Sequence, residues 1–260
     1  MTSSTGLPRG LLVSVRTPEE AVEAVAGGAA IIDVKEPSHG ALGRAAAECT
    51  AAILAAVGSR PCTLACGELA DGVETICEHV RRVTALASRV SPDAAWPAAV
   101  KAGPAGLDLA SWRTLFAQFA RDLPKGVAPV AVAYADSTAA QAPEPLAVID
   151  AAVEAGAATI LIDTFLKSGP GLVALIGLDG VATWVERGHA SGLAVAVAGR
   201  LTPADVAAVA ATGADVVGVR SAACGGDRLG RVDRGNVGRI VGTLFPGRDV
   251  PAVVTGRFVT

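Results

Sequence analysis

Apolar residues along the chain fall into short runs, each followed by a longer segment in which they recur every three or four positions. Residues 11–15, 30–35, 61–68, 96–101, 127–135, 159–163, 193–198 and 215–219 read as eight strands. Helical periodicity is predicted for the segments between and after them, about 17–27, 45–57, 73–88, 108–122, 144–155, 178–189, 202 onward and 234–244. Two helix starts are marked with care: Thr17-Pro18-Glu19-Glu20 and Thr202-Pro203-Ala204-Asp205 each offer a hydroxyl cap, proline at the first helical position and an acid three residues on. In 108–122, Leu109, Trp112, Leu115, Phe116 and Phe119 share one face.

Eight strand–helix units spaced about 30 residues apart, with no long linker, predict an α/β fold, a single closed (β/α)8 TIM barrel over residues 11–245. A doubly wound open sheet is the alternative, disfavoured because Arg16-Thr17-Pro18 follows the first strand where a dinucleotide fold has glycines. Residues 1–10 are polar and read as a disordered leading segment, and the Pro/Gly/Val-rich 246–260 reads as a tail.

Composition agrees with doubly buried parallel strands under Ala-rich helices: 51% of residues are apolar and only 3% aromatic. A net charge of -3 with no basic stripe argues against nucleic-acid binding. No apolar run is long enough for a membrane span, and a cytoplasmic enzyme is expected. The Ala-rich helices are compatible with packing in a homo-oligomer but do not demand it. Five cysteines (Cys49, Cys62, Cys66, Cys77, Cys224), an odd number without nearby histidines, read as small buried residues. His39 reads as a loop residue, and His79 and His189 as surface positions on helices.

The lysines change this picture. Of 22 basic residues only four are lysine, Lys35, Lys101, Lys125 and Lys167. An amine can lose its proton and attack a carbonyl, which a guanidinium cannot. Three of the four fall at or just after predicted strand ends, where a barrel keeps its active site, and Lys125 lies in a turn on the opposite face. Asp33, Glu68, Asp136 and Asp163 end strands on that same face. In a strand Asp33 and Lys35 point the same way, and amines sharing one mouth depress one another's pKa.

A second constellation follows strands seven and eight. Gly199, Arg200, Gly218, Arg220 and Ser221 stand where phosphate-binding barrels hold the anion, with glycines for close backbone approach and Arg220 for added charge. Cys224-Gly225-Gly226-Asp227-Arg228 reads as a loop over that mouth.

The segments 11–15, 31–43 (IIDVKEPSHGALG), 134–136, 161–164 with Lys167 and Gly169, 197–199 and 216–228 (VVGVRSAACGGDR) resemble the (5-formylfuran-3-yl)methyl phosphate synthases over about residues 11–244. The resemblance implies an enzyme, a carbon–oxygen lyase in furan biosynthesis, that condenses two molecules of glyceraldehyde 3-phosphate and releases one phosphate and water. It also implies Lys35 as the Schiff-base lysine, Lys101 as general base, and Asp33, Asp163 and Lys167 as supporting acid–base residues. No metal or organic cofactor is required by that chemistry, and no motif for one is present. Two readings stay open beside it: a class I aldolase-like enzyme using the same imine on a phosphorylated sugar, and a non-catalytic barrel that binds one.

Overall fold

In the computed structural model, which describes residues 7–90 and 96–244, eight parallel strands close on themselves in chain order, with β8 returning to β1. The strands are β1 Gly10–Val15, β2 Ile31–Val34, β3 Cys62–Glu68, β4 Ala99–Gly103, β5 Ala128–Tyr134, β6 Thr159–Asp163, β7 Ala194–Val197 and β8 Val216–Val219. Helices alternate with them: α1 Pro18–Ala26, α2 Ala47–Val57, α3 Val73–Val90, α4 Leu109–Asp122, a short α5 Ser137–Ala140, α6 Pro145–Ala152, α7 Leu172–Ala190, α8 Pro203–Ala211 and α9 Arg234–Leu244. This is the expected (β/α)8 barrel. The tail at 246–260 and residues 1–6 lie outside the described residues. Among the described residues no helix is long and apolar enough to cross a membrane.

The apolar side chains separate into two bodies. A large outer layer joins the strands to the helices, with Val13, Ile32, Leu64, Val100, Ile160 and Val217 among its strand members. A smaller inner cluster, including Leu12, Ile31, Val130, Leu161 and Val216, fills the lower barrel. The alternation is the period of two of a strand applied to a closed sheet: odd and even positions face opposite layers. On α4 the face read from the sequence is real, since Trp112, Phe116 and Phe119 are buried and their rings contact one another. Both marked helix starts are also present, with Thr17 and Thr202 accepting from the backbone N–H groups of Glu20 and Asp205.

Residues 7–10 of the leading segment are ordered, with Leu7 buried and Gly10 opening β1, helix α5 is additional to the expected set, and two further elements are displaced. Strand β4 runs over 99–103 rather than 96–101. Pro97 and Pro104 flank it, and a residue without an N–H cannot join the ladder, so pairing begins with Ala98 N–H donating to Cys62 O at 2.8 Å. Lys101 is therefore the middle residue of its strand, not the residue after it. Helix α7 begins at Leu172, six residues before the expected start, and is interrupted at Gly177 (φ 70°, ψ 169°). Only the part after that break carries the helical period seen in the sequence.

Candidate active site

The strand register decides which polar side chains meet. Ser14 in β1 is aligned with Asp33 in β2, and Asp33 with Thr63 in β3. All three are buried and lie on the inner face. The two hydroxyls consequently reach one carboxylate: Ser14 Oγ donates to Asp33 Oδ2 and Thr63 Oγ1 to Asp33 Oδ1, each at 2.8 Å. Lys101 comes in from β4, its Nζ 2.7 Å from Asp33 Oδ1. A buried carboxylate is tolerable when it is paired and its remaining lone pairs are occupied. Here both conditions hold.

A second acid–amine pair stands across the barrel. Asp163 ends β6 and takes the Lys167 ammonium at 2.7 Å on Oδ1, while the Thr164 N–H donates to the same oxygen at 2.7 Å. Lys167 also donates to the Thr164 carbonyl and, at 3.4 Å, to its hydroxyl. Burial opposes the Asp163 charge, but the Lys167 and Lys35 ammoniums and these hydrogen bonds outweigh it and hold its carboxyl below the usual range.

Lys35 lies between the two pairs. Its backbone N–H extends the β2 ladder by one residue, donating to Val15 O at 3.1 Å, so its side chain rises on the inner face after Asp33. It is 92% buried (8% exposed). Among the described residues no hydrogen bond or ion pair involves its amine. Burial lowers its pKa most, Lys167 and Arg228 add to the effect, and the attraction of Asp163 and Asp33 offsets only part of it, leaving an amine at about 7 instead of 10.5.

Asp33, Lys35, Lys101, Asp163 and Lys167 thus line one cavity of about 60 Å³ on the barrel axis. Gly199, Arg200, Gly218, Arg220 and Ser221 line it too, from the β7 and β8 ends. Gly199 (φ 103°) is closely packed in a backbone conformation that favours glycine, and a Cβ there would lie 3.1 Å from both Leu172 Cβ and Thr164 Cγ2. Arg200 is exposed, adopts φ 57°, and donates to the Lys167 carbonyl.

Arg220 departs from expectation. Its guanidinium is buried and every N–H is taken: Nε by Arg228 O, Nη1 by Ser14 O and Glu20 Oε2, Nη2 by Glu20 Oε1 and Gly230 O. With Glu20 also buried, this pair staples the first strand–helix unit to the last and has no donor left for a phosphate. The other strand-end acids have structural partners as well. Glu68 accepts from Tyr134 Oη at 2.8 Å and from the Ala105 N–H at 3.1 Å, and burial raises its pKa. Asp136 accepts from the Phe165 and Leu166 N–H groups and holds the loop after β6.

Sequence reasoning missed Ser14, Thr63, Thr164 and Arg228. For Ser14 and Thr63 a signal existed, a lone hydroxyl in an otherwise apolar strand. Cys62, Cys66 and Cys77 are buried as expected, whereas Cys49 and Cys224 are half-buried; burial pushes the Cys224 thiol up to about 11. His39 is exposed in its loop, whereas His79 is half-buried and burial lowers it to about 4.

The family model for 4-HFC-P synthase matches residues 11–241. The chain is 34% identical over 242 residues to the (5-formylfuran-3-yl)methyl phosphate synthase of Methanocaldococcus jannaschii, covering 86% of this chain and 94% of the relative. It is 33% identical over 220 residues to the synthase of the same name from Methanopyrus kandleri (84% and 91% covered). A putative synthase of that name from Methylorubrum extorquens is 33% identical over 251 residues, with 94% of each covered. Among solved structures the fold is similar to 3-hexulose-6-phosphate synthase from Salmonella typhimurium (TM-score 0.61, 19% identity, 90% and 97% covered). It is likewise similar to phosphoribosyl anthranilate isomerase from Thermococcus kodakaraensis (TM-score 0.60, 16% identity, 92% and 100% covered). At such identities these two speak for the fold alone.

Proposed function

The chain belongs to the 4-HFC-P synthase family, and from that premise we propose that it joins two molecules of glyceraldehyde 3-phosphate, through an imine on Lys35, into (5-formylfuran-3-yl)methyl phosphate. By atom balance one phosphate and two waters leave. The observation that carries the reading is the state of Lys35: a buried amine near pKa 7, without a hydrogen-bond or ion-pair partner among the described residues, between two acid–amine pairs. Such an amine is neutral in about half of the molecules at neutral pH and attacks an aldehyde without first giving up an ion pair.

The chemistry then follows. An aldehyde carried as an iminium has an acidic α-carbon, and a base that removes that proton delivers an enamine. The enamine expels a β-phosphate, and its carbon chain is set up to join a second aldehyde. Asp33 with Lys101, and Asp163 with Lys167, are proton-transfer pairs on two sides of the imine, serving the deprotonation and the dehydrations that make the ring aromatic. Gly199, Arg200, Gly218 and Ser221 hold a phosphate at the β7 and β8 ends. The scheme itself calls for no metal or organic cofactor. In class the enzyme is a lyase acting on phosphates.

The test is borohydride trapping with glyceraldehyde 3-phosphate, followed by intact mass, peptide mapping and a phosphate-release assay. The expected result is an adduct on the peptide containing Lys35, lost in Lys35→Ala together with at least ~10³-fold of turnover. An adduct on Lys167, with a product that keeps both phosphates, would move the reading to a class I aldolase. Recovery of unchanged triose phosphate from wild-type protein would exclude both.

A further inference from the structure

Two arginines eight positions apart bracket the loop after β8, and their surroundings are opposite. Arg220 is saturated by four protein groups, one of them the Glu20 carboxylate. Arg228 is half-buried and uses one nitrogen only: Nη2 donates to the Gly40 carbonyl at 2.7 Å and the Pro37 carbonyl at 3.4 Å. Among the described residues its Nε and Nη1 have no acceptor and it makes no ion pair. Three N–H donors of a fork built for planar oxyanions are therefore open.

Those donors belong to the reaction chamber. Arg228 lines the same cavity as Lys35 and Lys167. Its two carbonyl partners belong to the loop that follows Lys35 directly, so it is anchored on the β2 side of the mouth. Its charge is also under-compensated. Burial depresses its pKa most, Arg220 and Arg200 add to this, and Asp163 and Glu36 offset part. An arginine stays protonated regardless, so an unpaired charge here calls for an anion from outside the protein.

We propose that Arg228 is the seat of the departing phosphate, the one on the triose bound to Lys35, while the β7 and β8 ends hold the phosphate that is retained. This rests on the function proposed above. In the step concerned, a base takes the α-proton of the Lys35-bound iminium to give the enamine. The enamine's electron pair then forms the Cα–Cβ double bond and regenerates the iminium as the β-carbon–oxygen bond breaks. The bonding pair leaves on the bridging phosphate oxygen, the base hands the α-proton to that oxygen so that hydrogen phosphate departs, and the Arg228 guanidinium pairs with the resulting dianion. No oxidant or further reactant is involved.

The experiment compares wild type, Arg228→Gln and Arg228→Lys as full-length chains, using inorganic phosphate as a product inhibitor and borohydride as a trap. In Arg228→Gln the inhibition constant for phosphate is expected to rise about 10- to 100-fold, the worth of a charge-assisted pair of hydrogen bonds. The adduct trapped on Lys35 should keep its phosphate, because imine formation survives while elimination slows. Arg228→Lys should recover part of both, and an unchanged thermal midpoint would exclude a fold defect. Wild-type inhibition and wild-type phosphate release in Arg228→Gln would overturn the proposal and leave the synthase reading intact. If wild-type protein proves inactive on glyceraldehyde 3-phosphate, the synthase reading falls. Calorimetric titration with inorganic phosphate still decides the seat: one phosphate site lost or weakened in Arg228→Gln supports it, and equal or absent binding in both proteins overturns it.

Discussion

The two acid–amine pairs of the barrel look alike on paper and are built differently. Lys101 and Asp33 both sit within strands, with side chains 6% and 2% exposed, and Asp33 is held by two further hydroxyls. Lys167 lies on the loop after β6, 12% exposed, and its other contacts are to the neighbouring Thr164. Both members of the first pair are set by strand register, whereas in the second only Asp163 is on a strand and Lys167 can move with its loop. A fixed pair suits a group that must hold one geometry throughout, and a loop-borne pair suits one that exchanges partners as substrate arrives. Lys35, between them, is tied to neither.

The sharpest way to break the comparison is to remove each acid. Asp33→Ala leaves Lys101 charged and walled in, and should cost about 3–5 kcal/mol. Asp163→Ala leaves Lys167 able to turn toward solvent, and should cost no more than about half as much. Urea unfolding of both variants decides it, and equal losses would mean that strand and loop placement make no difference.

Removing the unpaired amine has the opposite sign. A lysine whose pKa is about 7 when folded and 10.5 when unfolded opposes folding. The cost is complete below pH 7, roughly 5 kcal/mol, and fades as pH rises from 7 to 10.5, where the unfolded chain gives up its extra proton. Lys35→Met should therefore be more stable than wild type by about 3 kcal/mol at pH 6, and the gain should shrink steadily by pH 10. A difference that stays constant across that interval would refute a depressed amine.

Smaller effects sharpen the contrast further. Ser14→Ala and Thr63→Val each delete a hydrogen bond to a buried carboxylate and should cost about 1–3 kcal/mol in thermal or urea unfolding. The corresponding change beside the other pair, Thr164→Val, removes only a 3.4 Å contact to Lys167 and should cost under about 0.5 kcal/mol.

Much of this architecture is legible in the sequence because it rests on short-range rules. Period two and period 3.6 fix the strands and helices, the caps at Thr17 and Thr202 fix two helix starts, and the scarcity of lysine singles out Lys35, Lys101 and Lys167. What escapes the sequence is pairing at long range. Nothing near Arg220 announces that Glu20 will take its charge, so a guanidinium at the right strand end reads as a phosphate ligand. Its neighbour Arg228 looks like any loop cation until the Pro37 and Gly40 carbonyls locate it. The position of β4 was displaced for a local reason, since Trp96 and its neighbours are apolar enough to pass for strand although Pro97 bars them from the ladder.

The Glu20–Arg220 staple has a consequence for how the protein is made. Its two halves are 200 residues apart in the chain. At ~5–20 residues per second a ribosome needs on the order of 10–40 s to deliver the arginine after the glutamate. For that interval the first strand and helix carry a carboxylate destined for burial with no counter-charge, and cannot settle into their final form. The nascent barrel stays open at the β1 edge until its last strand emerges, so a stalled or truncated chain ending before Arg220 exposes that edge to other chains.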